Sequence, residues 1–492
     1  MFRYPDAKVK KHHSQIYTTP TIHDTIFPNK PGITYSLINN RQNSIKTIIS
    51  NHHTCLIKKE LPVSTISGFP EWLPEERIIE LKWMDEIRRV YESYGFCSIE
   101  TPSVEEIDVL LSKGETDKEI YVLTRLQSDE DKSDARLGLH YDLTVPLARY
   151  VAEHYNDLVF PFKRYQIQRA WRGERPQVGR YREFYQCDID VVNVDQLPLQ
   201  FDAEVPAIIY DVIRRLVDGP FHISISNRKI LEGYFRGLDI EDTVSAIRIV
   251  DKLDKIGEDG VRSQLQSSLS LPREVAQRCL ELARIRATDL SFVDQVRALG
   301  IETPLLTQGL DELVFVLEAL HTLPQGTIVA DLSIARGLDY YTGTVYETRL
   351  LEYPTLGSIC SGGRYDNLAG SFINRKLPGV GISLGLTRLF AKLLAEQRLP
   401  LGPKCPTQVL VVLPRAELRE EIASLARLLR ERGLNVEMYH TPGKIANQLR
   451  YAARKGIPYV WFPPFDEGGK HEVKNMITQQ QTEADPTTWT PS

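Results

Sequence analysis

Long apolar runs are missing from this chain: no stretch approaches the roughly 18 residues that a bilayer-crossing helix requires, the longest strand-like one lying around Val409 to Leu413. A membrane span is therefore excluded. Cysteine is scarce and scattered, with Cys55, Cys97, Cys187, Cys279, Cys360 and Cys405 far apart and no C-x-x-C pair among them. That spacing excludes a zinc ribbon or a dithiol redox motif and fits a reducing, cytoplasmic compartment. Surplus positive charge is lacking too, since 60 Lys and Arg stand against 65 Asp and Glu for a net −5. With no basic field over the whole protein, an RNA partner has to be held by local patches. What is present is 492 residues, 42% apolar and 25% charged, enough for about three ordinary domains.

Residues 1–60 differ from the rest, with five of the eleven histidines and nine basic residues against three acidic. They lack a sustained helical period, a secretory apolar core and the arginine and serine content of a transit peptide, so a poorly ordered extension is expected. Order is expected from Leu61, in a domain reaching residue 398. Pro74 with Glu75 and Glu76 suits a first helical turn, Ile79, Trp83, Ile87 and Val90 recur at helical spacing, Arg88 and Arg89 fall near the last turn, and Gly95 supplies the stop. Phe96 to Thr101 reads as a strand ended by Pro102. From Arg228 to Pro324 helical patterns such as Asp242 to Lys255 and Arg273 to Ala287 dominate without clear strands, which predicts a helical insertion. Residues 399–492 alternate strand, helix, strand, helix, strand (Val409 to Leu413, Leu418 to Arg432, Val436 to Tyr439, Ile445 to Lys455, Pro458 to Phe462), the pattern of a separate α/β domain.

Lys163 to Arg172 and Arg182 to Val192 both alternate with period two and flank Gly173 to Tyr181, which predicts an antiparallel hairpin. Arg164, Gln166, Gln168 and Arg172 share one face of the first strand, and Gln186, Asp188 and Asp190 one face of the second. Solvated outer faces account for most such alternation. The density of hydrogen-bonding groups, running into a loop with Arg175, Gln177 and Arg180, points instead to a functional surface. Gly379, Gly381 and Gly385 give G-x-G-x-x-x-G rather than a dinucleotide fingerprint, and no G-x-x-x-x-G-K-[ST] exists, so Rossmann and P-loop readings fail. These glycines are expected to let a strand pass close to a ligand.

The hairpin resembles motif 2 of the class II aminoacyl-tRNA synthetases, and Arg336-Gly337-Leu338-Asp339-Tyr340-Tyr341-Thr342-Gly343 resembles the signature peptide of the histidyl-tRNA synthetase family. Further blocks follow in that family's order. The helix ending in Pro102 resembles motif 1, Tyr141-Asp142-Leu143-Thr144-Val145-Pro146 the histidine-binding loop, Ser361-Gly362-Gly363-Arg364-Tyr365-Asp366 the glycine-rich turn, and Gly379 to Leu389 motif 3. The resemblance implies an α+β fold: a class II antiparallel sheet flanked by helices, a helical insertion at about 228–324, and a C-terminal α/β anticodon-binding domain.

It also implies ATP with Mg2+, L-histidine and tRNA(His) as partners, and a homodimer. Joining a carboxylate to the α-phosphorus of ATP brings two anions together, which calls for arginines. By resemblance Arg172, a catalytic residue that also belongs to the histidine site, contacts the α-phosphate, Arg388 holds the γ-phosphate, Glu174 helps position magnesium, and Arg336, the chief catalytic residue, is the cation on the histidine carboxylate and α-phosphate. Asp142, Thr144 and Gln186 match positions that hold the α-amino group, and Leu143 belongs to the same histidine-binding loop. Asp190 matches the acceptor of an imidazole N–H, with Tyr340, Tyr341 and Tyr365 lining the ring. His140 stands where relatives with this form of the loop usually carry Arg. Arg175, Gln177 and Arg180 resemble the element that meets the tRNA acceptor end, and Arg450, Tyr451 and Arg454 are candidates for anticodon bases. A second reading is a non-catalytic, histidine-sensing relative, the synthetase-like regulatory subunit of ATP phosphoribosyltransferase. That subunit normally lacks the anticodon domain and has a degraded signature peptide, whereas both features are intact in this sequence.

Overall fold

Pro74 presets the first turn of helix α1 (Pro74–Ser93), Glu75 and Glu76 face its positive end, and the Glu76 carboxylate reaches back to accept the Leu73 N–H at 2.7 Å. In the computed structural model, which describes residues 64–113, 119–125, 136–176, 179–334, 341–367, 369–466 and 468–491, this helix is the expected one, with Ile79, Ile87 and Val90 buried. Its last turn holds no basic residue, because Arg88 and Arg89 lie further back, where they pair with Glu92 and Glu86. Gly95, at φ +79°, supplies the stop. The strand expected at Phe96 to Thr101 is only β1 (Cys97–Ser98). The expectation for residues 1–60 falls outside the described residues. Everything described from Thr65 onward belongs to one compact unit.

A nine-stranded sheet organises most of the chain. After β1 come β2 (Val104–Glu106), β3 (Val122–Leu123) and β4 (Leu137–Leu139), the last three forming a small separate sheet, and then helix α2 (Thr144–Glu153). The hairpin strands β5 (Phe162–Trp171) and β6 (Glu183–Val192) match the sequence reading almost to the residue. They are followed by helix α3 (Gln200–Leu216) and β7 (Phe221–Asn227). Further on lie β8 (Arg286–Ala287), β9 (Ile328–Asp331), β10 (Tyr341–Leu350), β11 (Cys360–Tyr365) and β12 (Gly379–Gly385), which runs into helix α4 (Leu386–Ala395). The strand order is β1-β5-β6-β12-β11-β10-β7-β9-β8, antiparallel except for the pairs β1/β5 and β7/β9.

Between 228 and 324 the helices are Arg228–Gly237, Thr243–Val250, Leu253–Leu269, Arg273–Ala283, Phe292–Ala298 and Pro304–Ala319. The sequence expectation of helices without strands is corrected at β8, whose two residues pair with Asp331 and Ala330 at the sheet edge. The expected helix over Asp242 to Lys255 is in fact two, divided near Asp251. The helix expected over Arg273 to Ala287 ends at Ala283 so that β8 can form. Ile230, Val250, Leu265, Phe292 and Val316 join the same apolar core as the sheet residues Ile189, Ile225 and Ile382. Two glycines bring the first and last of these helices together: a Cβ on Gly233 would meet the Leu306 backbone N at 2.4 Å, and one on Gly309 the Ile230 N at 2.7 Å.

The C-terminal region carries a second sheet. Strands β13 (Val409–Val411), β14 (Val436–Met438) and β15 (Tyr459–Phe462) are parallel, and they alternate with helices Arg419–Glu431 and Ile445–Lys455, as the sequence pattern predicts. Beyond the pattern, β16 (Glu472–Asn475) and β17 (Gln481–Glu483) add an antiparallel hairpin. These strands are short and polar, with little apolar alternation to reveal them. Among the described residues no helix is long and apolar enough to cross a membrane.

Candidate active site

The polar face of the β5–β6 hairpin is buried. Arg164, Gln166, Gln168, Gln186, Asp188 and Asp190 are all at most 7% exposed, so a solvated outer face does not explain the alternation. The opposite face packs on α1, where the Tyr91 hydroxyl donates to the Cys187 carbonyl at 3.1 Å. Backbone pairing fixes the array: Asp190 lies opposite Arg164 and Gly381, Asp188 opposite Gln166 and Ser383, and Gln186 opposite Gln168 and Gly385.

Burying such groups is costly unless each finds a partner. Asp190 finds two: Arg164 Nη2 lies 2.6 Å from one carboxylate oxygen, and the Tyr365 hydroxyl donates to the other at 3.0 Å. Arg164 also donates to Gln166 Oε1 at 3.3 Å. The Gln166 amide in turn donates to Thr101 Oγ1 (3.0 Å) and Gln168 Oε1 (2.6 Å), and Gln168 to the Thr101 carbonyl (2.7 Å). The network thus runs from Asp190 to the end of the motif 1 segment. Three oxygens on or beside this face are left over, as is the Arg164 Nε donor. Asp142 Oδ2, Gln186 Oε1 and Asp188 Oδ1 are buried without a hydrogen-bond partner, a set of acceptors suited to a cationic N–H donor.

Burial sets the protonation of these acids. It pushes the Asp142 carboxyl up to about 6, against the Val145 N–H that donates to Oδ1 at 3.1 Å. It pushes Asp188 up to about 7, and raises Asp190 against the pull of Arg164. His140 is fully buried, with Nδ1 3.0 Å from the Pro102 carbonyl and Nε2 2.7 Å from that of Arg169. Burial lowers its basicity and the two carbonyls raise it.

The glycines of β12 have a nearer purpose than passage of a ligand. A Cβ on Gly379 would meet the Tyr365 ring at 2.4 Å, and one on Gly381 the Asp190 carboxylate at 2.1 Å, so these positions make room for the pocket's own side chains. Gly385 faces no such conflict.

At the mouth, Arg172 follows β5 with its Nε donating to the Tyr141 carbonyl at 3.0 Å and its guanidinium 5.2 Å from the centre of the Phe184 ring. Glu174 accepts from Arg180 at 2.9 Å and is hydrogen-bonded to Glu119, whose carboxyl burial raises, Arg172 lowers and Glu174 raises again. Arg388, in the first turn of α4, lies beside Gly179 of the motif 2 loop and donates to the Leu356 carbonyl. Arg175 is exposed.

The structure therefore gathers Asp142, Gln186, Asp190 and Tyr365 in one buried patch, near Arg172, with Thr144 opening α2 and Tyr341 opening β10 opposite Tyr365. The Leu143 side chain is fully buried, which leaves its backbone for any ligand contact. Arg336, Tyr340 and Gln177 lie outside the described residues. In the C-terminal region Arg450 and Arg454 are exposed, while the Tyr451 hydroxyl is bonded to Glu437. Sequence reasoning missed Arg164, Ser383, Phe184 and Glu119 as members of the site. Only Arg164 carried a local signal, its place on the polar face.

The sheet and the appended α/β domain define a class II aminoacyl-tRNA synthetase, and comparison with known proteins agrees. Residues 68–389 match the family model of histidyl-tRNA synthetase, and residues 408–486 match that of the anticodon-binding domain. A curated histidine–tRNA ligase of Thermobifida fusca is 62% identical over 425 residues, 86% of this chain and 97% of its own. The crystal structure of histidyl-tRNA synthetase from Nostoc sp. PCC 7120 superposes with a TM-score of 0.77 at 41% identity, covering 86% of this chain and 97% of that one. A structure from Bacillus halodurans C, described as an ATP phosphoribosyltransferase regulatory subunit/histidyl-tRNA synthetase, shares the fold with a TM-score of 0.64 at 24% identity, covering 77% of this chain and 93% of its own. The chain belongs to the histidyl-tRNA synthetase family.

Proposed function

We propose that the chain activates L-histidine with ATP and transfers it to the 3′ end of tRNA(His). A histidine carboxylate oxygen bonds to the α-phosphorus, the bond to the β-phosphate oxygen breaks, and pyrophosphate leaves. The terminal ribose hydroxyl of the tRNA then attacks the acyl carbon and releases AMP. The observation that carries this reading is the buried trio of acceptor oxygens beside Asp190, with Arg172 at the mouth. An α-ammonium and an imidazole N–H are the donors such a pocket lacks. Asp142, Thr144 and Gln186, with the Leu143 backbone, hold the ammonium. Asp190 accepts from the imidazole between Tyr340, Tyr341 and Tyr365.

Arg172 lies between the two anions and offsets the charge that develops on phosphorus, Arg336 adds a second cation there, and Arg388 holds the γ-phosphate. Glu119 and Glu174 fit a magnesium ion, since Mg2+ is held by one or two carboxylates plus phosphate oxygens and water. Among the described residues no group of three protein ligands offers an alternative. When bound, the ion neutralises phosphate charge. Arg175, Gln177 and Arg180 meet the acceptor end, and the protein works in the cytoplasm as a homodimer joined partly through motif 1. The regulatory-subunit reading is not favoured, because it predicts neither the anticodon domain nor curated ligases at this identity and coverage.

Histidine-dependent exchange between ATP and pyrophosphate, with the other nineteen amino acids as controls and tRNA charging alongside, tests the proposal. Exchange with histidine alone, together with charging, supports it. Histidine binding without exchange overturns it in favour of a sensor.

A further inference from the structure

Asp188 occupies the centre of the polar face, flanked by Gln186 and Asp190 on its own strand and 2% exposed. One carboxylate oxygen is hydrogen-bonded to the Ser383 hydroxyl of β12, and Ser383 Oγ in turn accepts the Gln186 amide N–H at 2.7 Å. Oδ1 has no partner. The charged groups around it come from several elements: Arg164 from β5, Asp190 from its own strand, Asp142 from the loop ahead of α2, and Tyr365 of β11 behind Asp190. On the opposite face of the strand, Tyr91 of α1 and Cys187 are kept neutral by burial.

Charge arithmetic then decides the state of the empty pocket. Three buried carboxylates, those of Asp142, Asp188 and Asp190, face one guanidinium in the floor, and that guanidinium is in contact with Asp190. A buried anion without a counter-charge takes up a proton instead. Asp142 has the Val145 N–H and lies toward Arg172, whereas Asp188 is hydrogen-bonded only to a neutral hydroxyl and shares with Asp190 the single charge of Arg164, which lowers both carboxyls against burial.

We propose that Asp188 is a further histidine-positioning residue, carrying a proton in the empty site and losing it to solvent as the amino acid's ammonium group enters, so that its carboxylate joins Asp142 and Gln186 around the cation. The step balances: one carboxyl O–H bond is lost, the proton goes to buffer, and the new charge is met by the ammonium. The carboxyl's upward displacement to about 7 agrees with this assignment. The inference rests on the functional reading above.

The test uses the full chain. Calorimetric titration with histidine at pH 7, in two buffers of different ionisation enthalpy, counts the protons released, and the count is repeated at pH 8.5 where Asp188 is already ionised. The wild type is expected to release a substantial fraction of a proton at pH 7 and little at pH 8.5. Asp188→Asn is expected to lose most of the release seen at pH 7. Its KM for histidine in exchange should rise about tenfold, as for a lost charge-assisted bond, while kcat and the KM for ATP change little. Asp188→Glu should restore part of both the proton release and the affinity, which a purely structural role would not produce. Wild-type histidine-dependent exchange is measured first. Its absence overturns the functional reading and this inference together, whereas an active wild type whose proton release persists unchanged in Asp188→Asn overturns the inference alone.

Discussion

The two sheets of this protein bury polar groups on opposite principles. Among the described residues of the C-terminal region the buried polar side chains are closed internally. Fully buried Gln448 accepts the Leu413 N–H and donates to the Leu413 and Gly443 carbonyls, and Glu437 is met by Tyr451, Lys455 at 2.7 Å and Thr407 at 3.3 Å. In the catalytic sheet the network stops short, leaving carboxylate and amide oxygens in the interior without partners. An incomplete network is an energetic liability in a module that only folds and a binding surface in one that takes a cation. The comparison separates scaffold from site without reference to motifs.

The comparison breaks most sharply at Arg172. Arg172→Ala is expected to slow single-turnover adenylate formation about a hundredfold or more, because a cation at the developing charge is lost, while the circular dichroism spectrum is unchanged. Equal single-turnover rates would remove Arg172 from the chemistry.

Asp190→Ala comes next. It leaves the fully buried Arg164 without its ion pair, so unfolding free energy should fall by about 3 to 5 kcal/mol. The KM for histidine should rise by about two orders of magnitude. Urea denaturation and exchange kinetics check the two parts, and a stable variant with wild-type KM would contradict both.

A smaller effect concerns pH. A carboxyl raised above its unfolded value gives stability that is complete below the ordinary carboxylate range, about 4, and is lost as pH rises through the folded value, about 7 for Asp188. Asp188→Asn should therefore melt above the wild type at pH 8 and alongside it at pH 4. A constant gap between the two at both pH values would show that Asp188 does not titrate in this range.

In the C-terminal sheet Glu437 behaves with the opposite sign. The hydrogen bond from Lys455 leads the contacts that hold its carboxyl low against burial. Glu437→Gln should cost about 0.5 to 1 kcal/mol at neutral pH, with the cost fading in acid, and should leave histidine exchange unchanged. A loss of exchange would show that the two sheets are not independent in function.

Much of this architecture was legible because it is written locally. Period-two alternation placed β5 and β6, proline and acidic caps placed α1, and helical spacing placed Ile445–Lys455 without error. Two-residue strands such as β1 and β8 carry too little sequence to show a period, and the hairpin β16–β17 lacks apolar alternation. The site was legible where a side chain shares a strand face, as Gln186 and Asp190 do. Ser383 and Glu119 were not, because what brings them to the pocket is strand pairing or packing across long stretches of chain. Nor does alternation alone tell a buried polar face from a wet one. Only the covering elements do, and they come from elsewhere in the sequence.

A crystal structure of the full chain with L-histidine tests the account most directly. The expected result places the α-ammonium within about 3 Å of Asp142 Oδ2 and Gln186 Oε1, with the imidazole against Asp190. Histidine bound elsewhere, with these oxygens closed by internal partners, would contradict the claim that the unfinished network is the receptor.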